Sequence, residues 1–227
     1  MIPLLHDFED ETVLVFGGGR VGARKARRFA REARVVVVSP AFADSRDGDS
    51  DADGDRAAFG DAELVRATPA ADDLAGWFDR AEPALVVAAT DDGALNERIE
   101  AVARDRGVLV NRADEHGERG AGSVVVPATV RDDPVVAAVA TGGASPALSR
   151  HLRRRIETEI EDAGAMAELT GEIREELQAD GVDPDVRREA VRAVVRSATV
   201  WKALDSGIPN ARQVAADVIS DVTGETA

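Results

Sequence analysis

Apolar positions in this chain follow two regimes. Up to about residue 113, short apolar runs alternate with stretches of helical spacing. Thr12–Phe16 reads as a strand. Between Val21 and Glu32, the residues Val21, Ala26, Phe29 and Ala30 recur among arginines as one face of a helix. Val35–Val38 is an unbroken run of valine, the pattern of a parallel strand covered on both faces. A weaker strand over Glu63–Ala67, a helix over Asp72–Arg80, a strand over Leu85–Ala89, a helix over Asn96–Arg106 stopped by Gly107, and a strand over Val108–Asn111 follow. This alternation predicts an α/β fold with a doubly wound parallel sheet.

The pattern then changes. Ser123–Pro127 and Val135–Ala140 read as two strands with no helix between them. Ser145 followed by Pro146 is a helix start, serine as N-cap and proline in the first turn. That helix is expected to run past Ile160, with others over Met166–Asp180, Asp185–Trp201 and Asn210–Val222. The expected organisation is a nucleotide-binding domain over 1–113, a small strand-containing segment over 114–144, and a helical C-terminal region over 145–227.

The most informative stretch is Gly17-Gly18-Gly19-Arg20-Val21-Gly22, which fits G-x-G-x-x-G directly after a strand and at the opening of a helix. In that context Gly17 permits the turn, Gly19 admits a pyrophosphate close to the backbone, and Gly22 lets helix and strand pack. The free N–H groups and partial positive charge of the helix start suit an anion. The sheet is therefore expected to be Rossmann-like. The end of the second strand, where a ribose-binding acid is usual, reads Ser39-Pro40-Ala41. Serine hydrogen-bonds a ribose less decisively than an acid, so the motif leaves NAD against NADP open, and Arg20 and Arg24 read either as partners for a 2′-phosphate or as solvated helix arginines. Thr90 ends the fourth strand at the ligand-binding edge and is a candidate for ribose or nicotinamide. Asp91 or Asp92 after it is expected to cap the next helix.

Charge and composition narrow the classes. The net charge is −15, from 43 acids against 28 bases, and only Lys25 and Lys202 among the bases are lysines. An acidic surface poor in lysine points to a halophilic setting, where salt screens the repulsion, and it disfavours nucleic acid as a partner. There is no cysteine, which excludes disulfides and thiolate chemistry. No apolar run is long enough to span a bilayer, and the acidic start MIPLLHDFEDE does not resemble a secretory signal. The expectation is a soluble, cytoplasmic protein with no membrane partner. Residues 44–56 hold six aspartates and two glycines. Asp49-x-Asp51-x-Asp53-Gly54 copies the start of a calcium loop, but the twelfth position is Gly60 rather than glutamate, so a solvated acidic loop is expected and no metal site is assigned.

The stretches VLVFGGGRVGARKARRF, VVVSP, VVAATDD with LNERI, VLVNRADEHG, SVVVPATV and VVAAVATGGASPALSRHLRRRIE occur in this order. Together they resemble the family of precorrin-2 dehydrogenases and sirohydrochlorin ferrochelatases of siroheme synthesis, over about residues 1–160. The resemblance implies NAD-dependent oxidation of precorrin-2 to sirohydrochlorin, Fe²⁺ insertion in some members, and a homodimer paired through the segment after the nucleotide domain. The family's essential aspartate falls in Asn111-Arg112-Ala113-Asp114, making Asp114 the implied catalytic residue. Proximity to NAD is one way to raise a carboxylate's pKa toward the working range, which the sequence alone does not show for Asp114. The hydroxyl before the paired glycines is Thr141.

The eight carboxylates of such a substrate need donors. Candidates are Arg112 and Arg119 beside Asp114, Arg150 in an arginine cluster with His151, Arg153, Arg154 and Arg155, and the N–H groups of Gly142, Gly143 and Ser145 at a helix start. For any single arginine, a salt bridge to an abundant acid is the competing reading. His116 reads as a surface histidine rather than an iron ligand. Two other classes keep the glycine turn: an NAD-sensing regulatory module and a non-catalytic tetrapyrrole carrier.

Overall fold

The computed structural model describes residues 2–43, 58–115 and 120–223. The acidic loop at 44–56, His116 and Arg119 lie outside the described residues. The chain forms two compact units, Met1–Val126 and Pro127–Ala227.

The first unit is a five-stranded parallel sheet in the order β3-β2-β1-β4-β5, with β1 at Thr12–Phe16, β2 at Arg34–Ser39, β3 at Glu63–Arg66, β4 at Leu85–Ala88 and β5 at Leu109–Arg112. Side chains alternate across the sheet as the two-residue repeat of a strand requires. Val13, Val15, Val35, Val37, Leu85 and Val87 join Ala23 and Ala26 of helix α1 (Arg20–Phe29) on one face. Leu14, Phe16, Val36, Val38, Val86, Ala88 and Val110 meet helices α2 (Leu74–Ala81) and α3 (Gly93–Asp105) on the other. Both faces are covered, so β1, β2 and β4 have no polar alternation to read. A turn of 3₁₀ helix, Ala71–Asp73, precedes α2 where one helix from Asp72 was expected. Trp77 of α2 lies beneath the Arg80 guanidinium, 4.2 Å from ring centre to cation.

The second unit pairs β6 (Ala128–Asp132) with β7 (Val135–Val139), antiparallel, and places helix α4 (Pro146–Glu159) against both. It continues as α5 (Ala163–Ala179), α6 (Pro184–Arg196), α7 (Ala198–Leu204) and α8 (Ile208–Thr223). Met166, Leu169, Ile173, Val194, Val200, Leu204, Ala211 and Ala215 form its core. Trp201 of α7 donates its indole N–H to the Val195 carbonyl at 2.7 Å.

Three expectations are corrected here. The first strand of the pair is not Ser123–Pro127 but Ala128–Asp132. Ser123 forms a single bridge to Val110 and Val124 donates to the Val110 carbonyl at 2.8 Å, so that apolar run borders β5 without forming a strand. The helix from Pro146 ends at Glu159, with Ile160 as its C-cap, and α5 starts already at Ala163. The expected helix 185–201 breaks at Ser197, whose extended backbone and side chain cap α7 by accepting from the Val200 N–H. A serine hydroxyl offers the backbone a partner outside the helix, and here it ends one helix and starts the next.

Candidate active site

All strands of the sheet are parallel, so the turns after β1, β2, β4 and β5 share the carboxyl edge where open α/β folds take ligands. Order reverses between β1 and β4. The glycine turn lies there. Gly17 has φ +114°, and a Cβ on it would sit 2.3 Å from the Ala89 carbonyl oxygen at the end of β4. A Cβ on Gly22 would sit 1.9 Å from the Gly17 carbonyl oxygen, so α1 starts in contact with the turn it follows. Gly18 is covered by the loop after β2: a Cβ there would meet the Ala41 carbonyl oxygen at 2.2 Å and the Ser39 side chain at 2.8 Å. Gly19 differs from these, because nothing lies within 4 Å of its Cβ position.

Gly19 is also the N-cap of α1, without a side-chain cap and without an acid in the first turn. Arg20 and Val21 beside it are exposed, Val21 at 38%. These residues fit a dinucleotide: an open approach at Gly19, uncapped helix N–H groups for pyrophosphate, and an exposed apolar side chain next to them. Ser39 ends β2, buried, with Pro40 and Ala41 exposed beyond it. Arg66, opposite Ser39 in β3, donates to the Pro40 carbonyl at 2.9 Å and fastens that loop.

The turn after β4 is closed by side chains. Thr90 donates its hydroxyl to Asn96 Oδ1 at 2.7 Å, and the Asn96 amide donates back to the Thr90 carbonyl at 3.0 Å. Asp92 caps α3 as expected, accepting from the Leu95 N–H at 3.1 Å. The Thr90 hydroxyl is therefore engaged within the chain at the edge where a ribose or nicotinamide contact was expected.

After β5 the chain places Asp114 in the grip of Arg112. Arg112 Nε donates to Asp114 Oδ1 at 2.9 Å and Nη2 to Oδ2 at 2.8 Å, while Nη1 donates to Glu100 Oε2 at 3.0 Å. Glu115 stands 3.4 Å from the same nitrogen. The Arg112 side chain is 4% exposed and that of Asp114 32%. The fork of Arg112 outweighs partial burial and, with a smaller contribution from the Asn96 amide, holds the Asp114 carboxyl at about 2, below the usual range. The same pairing raises the Arg112 guanidinium. Arg112, expected to meet a substrate carboxylate, here turns its donors to Asp114 and Glu100 instead. Sequence reading missed Asn96 and Glu100, although their spacing of four puts both on one ridge of α3 with Arg104, which donates to Glu100 at 2.7 Å.

In the second unit Thr141, Ser145 and Ser149 come together. Thr141 Oγ1 lies 3.0 Å from Ser149 Oγ and accepts from the Ser145 N–H at 3.3 Å, and Ser145 caps α4 by accepting from Leu148 N–H at 3.2 Å. Gly142 and Gly143 are exposed just before this start, and Arg150 and His151 are exposed on α4. Among the described residues, no three His, Asp or Glu side chains group as metal ligands, and no helix is long and apolar enough to cross a membrane.

Comparisons with known proteins agree with this architecture. Residues 4–128 match the family model NAD_binding_7, "Putative NAD(P)-binding". A precorrin-2 dehydrogenase of Methanosarcina barkeri is 31% identical over 223 residues, covering 96% of this chain and 93% of that protein. A siroheme synthase of Ectopseudomonas mendocina is 36% identical over 192 residues, 84% of this chain but 37% of that longer protein. The solved structure of SirC, precorrin-2 dehydrogenase, superposes with a TM-score of 0.66 at 20% identity, covering 99% of this chain and 100% of that one, a likeness of fold. With a full-length relative at this identity and a family model spanning more than half its residues, the chain belongs to the NAD(P)-binding precorrin-2 dehydrogenase family.

Proposed function

We propose that this chain oxidises precorrin-2 to sirohydrochlorin with NAD, and that Asp114 is the carboxylate that meets the substrate. The observation that carries the reading is the shared sheet edge: β1, β4 and β5 are neighbours, so the glycine turn and Asp114 stand about two strand spacings apart, roughly 10 Å. Bound at Gly17–Gly22, NAD supplies the acceptor for two electrons.

The macrocycle gives up a hydride, two electrons with one proton, to NAD and one further proton to a base or to solvent, and positive charge develops on it as the hydride leaves. Asp114 stays ionised throughout the working range, so it presents a fixed negative charge to that developing cation. Proton removal by the same carboxylate requires that Arg112 first loosen its hold. In the second unit, the exposed Arg150, the Gly142 and Gly143 amides and the Thr141–Ser145 helix start are donors for the substrate's own carboxylates. Pairing of two copies through β6, β7 and α4 is supported by α4 itself, which contains no buried residue and exposes 47% of Leu148.

NADH formation at 340 nm from anaerobic precorrin-2 tests the activity. Its absence in folded, NAD-binding protein would favour the sensor or carrier readings. Iron insertion is a second reading, favoured by the siroheme synthase matches; Co²⁺ uptake by sirohydrochlorin, without NAD, reads it separately. Assays at several salt concentrations examine the halophilic expectation drawn from the −15 net charge, and retention in the cytoplasmic fraction the expected location.

A further inference from the structure

The three residues of the α3 ridge have an arrangement that the proposed reaction does not itself require. Asn96, Glu100 and Arg104 are spaced by four along one helix; Glu100 bonds Arg112 at the end of β5, Arg104 bonds Glu100 from behind, and the Asn96 amide reaches Asp114. The side chains of Arg112 and Glu100 are 4% and 12% exposed, and Glu100 bonds Arg112 through one oxygen and Arg104 through the other. A buried guanidinium held this way has few alternative rotamers, and its planar fork passes that rigidity to its bidentate partner. In the chain Arg104–Glu100–Arg112–Asp114 the two inner members are buried or nearly so, and the two ends, Arg104 and Asp114, are the accessible ones.

We infer that Arg112, anchored from behind by Glu100, is a positioning residue that holds the Asp114 carboxylate in one orientation for the oxidation. The inference rests on the role proposed for Asp114. Arg112 meets no substrate atom in this scheme: its donors are directed at Asp114 and Glu100, with Glu115 close by. The charged and polar groups that set the carboxylate's surroundings are Arg112, Glu100, Glu115 and Arg104, with the Asn96 amide. Removing the guanidinium leaves Asp114 free to rotate and returns its ionisation toward the ordinary carboxylate range, about 3.9.

The test compares Arg112→Lys, Arg112→Met and Glu100→Gln with Asp114→Asn under anaerobic turnover, after circular dichroism and NAD titration have established that each is folded. Arg112→Met is also made with Glu100→Gln, so that the loss of one of the two guanidinium partners of Glu100 does not confound the result. The expected result is a fall in kcat of about 10- to 100-fold in the Met variants, with KM for precorrin-2 and affinity for NAD within about twofold. The acid limb of kcat moves up by one to two pH units. Arg112→Lys keeps the charge and loses the fork, so it restores the acid limb but only part of kcat. Glu100→Gln keeps the hydrogen bond and loses less activity than either. Wild-type kcat and an unmoved acid limb in Arg112→Met, beside an inactive Asp114→Asn, would overturn the positioning role alone. Wild-type rates in Asp114→Asn would overturn the role of the aspartate and this inference with it.

Discussion

The turn after β1 and the corner after β5 stand on one sheet edge and are made of opposite materials. At the glycine turn nearly everything is backbone: the Gly17 carbonyl against Gly22, the Ala89 carbonyl against Gly17, and uncapped N–H groups at Gly19. At the corner nearly everything is side chain: Arg112 between Asp114 and Glu100, Thr90 against Asn96. Backbone geometry is held by the sheet and changes only if a side chain intrudes. A side-chain network holds only as long as every partner is present. The first region therefore suits a constant task, cradling a pyrophosphate. The second suits one in which charge must be set and released.

The sharpest way to break this comparison is at the corner. Asp114→Ala is expected to lower the NADH-forming rate about 10²- to 10⁴-fold while NAD affinity stays within about twofold; retention of the wild-type rate would leave the corner without a chemical task. Next in size is Gly19→Val. Its side chain enters open space, so the melting temperature should hardly change while the NAD dissociation constant rises about tenfold or more, and equal affinity by titration would move the cofactor elsewhere. Gly22→Ala sharpens the contrast within the turn. Its Cβ meets a carbonyl oxygen at 1.9 Å, so it is expected to cost stability, about 1–3 kcal/mol by urea unfolding, with any loss of NAD following from misfolding.

The smallest effect is electrostatic. Arg112 holds the Asp114 carboxyl at about 2, below its unfolded value. The pair's contribution is thus complete above about pH 4 and is lost as pH falls toward 2. The side chain is about one-third exposed, so solvent reduces the effect to about 1 kcal/mol or less. Asp114→Asn should remove that part of the acid dependence of stability, and an unchanged slope would show that the pair contributes nothing to folding.

Backbone-made features were the legible ones. The valine run 35–38, the glycine turn, the Ser145-Pro146 helix start and the Asp92 cap each depend on residues adjacent in sequence, and each is found where its pattern predicts. The Arg112 clamp joins β5 to a helix twelve residues earlier. An arginine beside an aspartate could equally have faced solvent or substrate, and the spacing of Asn96, Glu100 and Arg104 resembles any charged helix face until β5 is laid against it. SVVVP misled for a related reason: a run of valines becomes a strand only where a partner strand lies beside it, and ATVRD found β7 while SVVV met β5 at one bridge. Ser197 was passed over because the apolar spacing continues on both sides of it.

The chain has two tryptophans and no tyrosine, and the fold gives one indole to each compact unit. Trp77 under Arg80 belongs to the sheet-bearing unit and Trp201, bonded to Val195, to the helical one. Intrinsic fluorescence excited at the red edge is therefore a two-channel signal with no background from phenol. Trp77→Phe or Trp201→Phe leaves a single emitter, and a melting curve for either half can be recorded from the intact polypeptide without any attached dye.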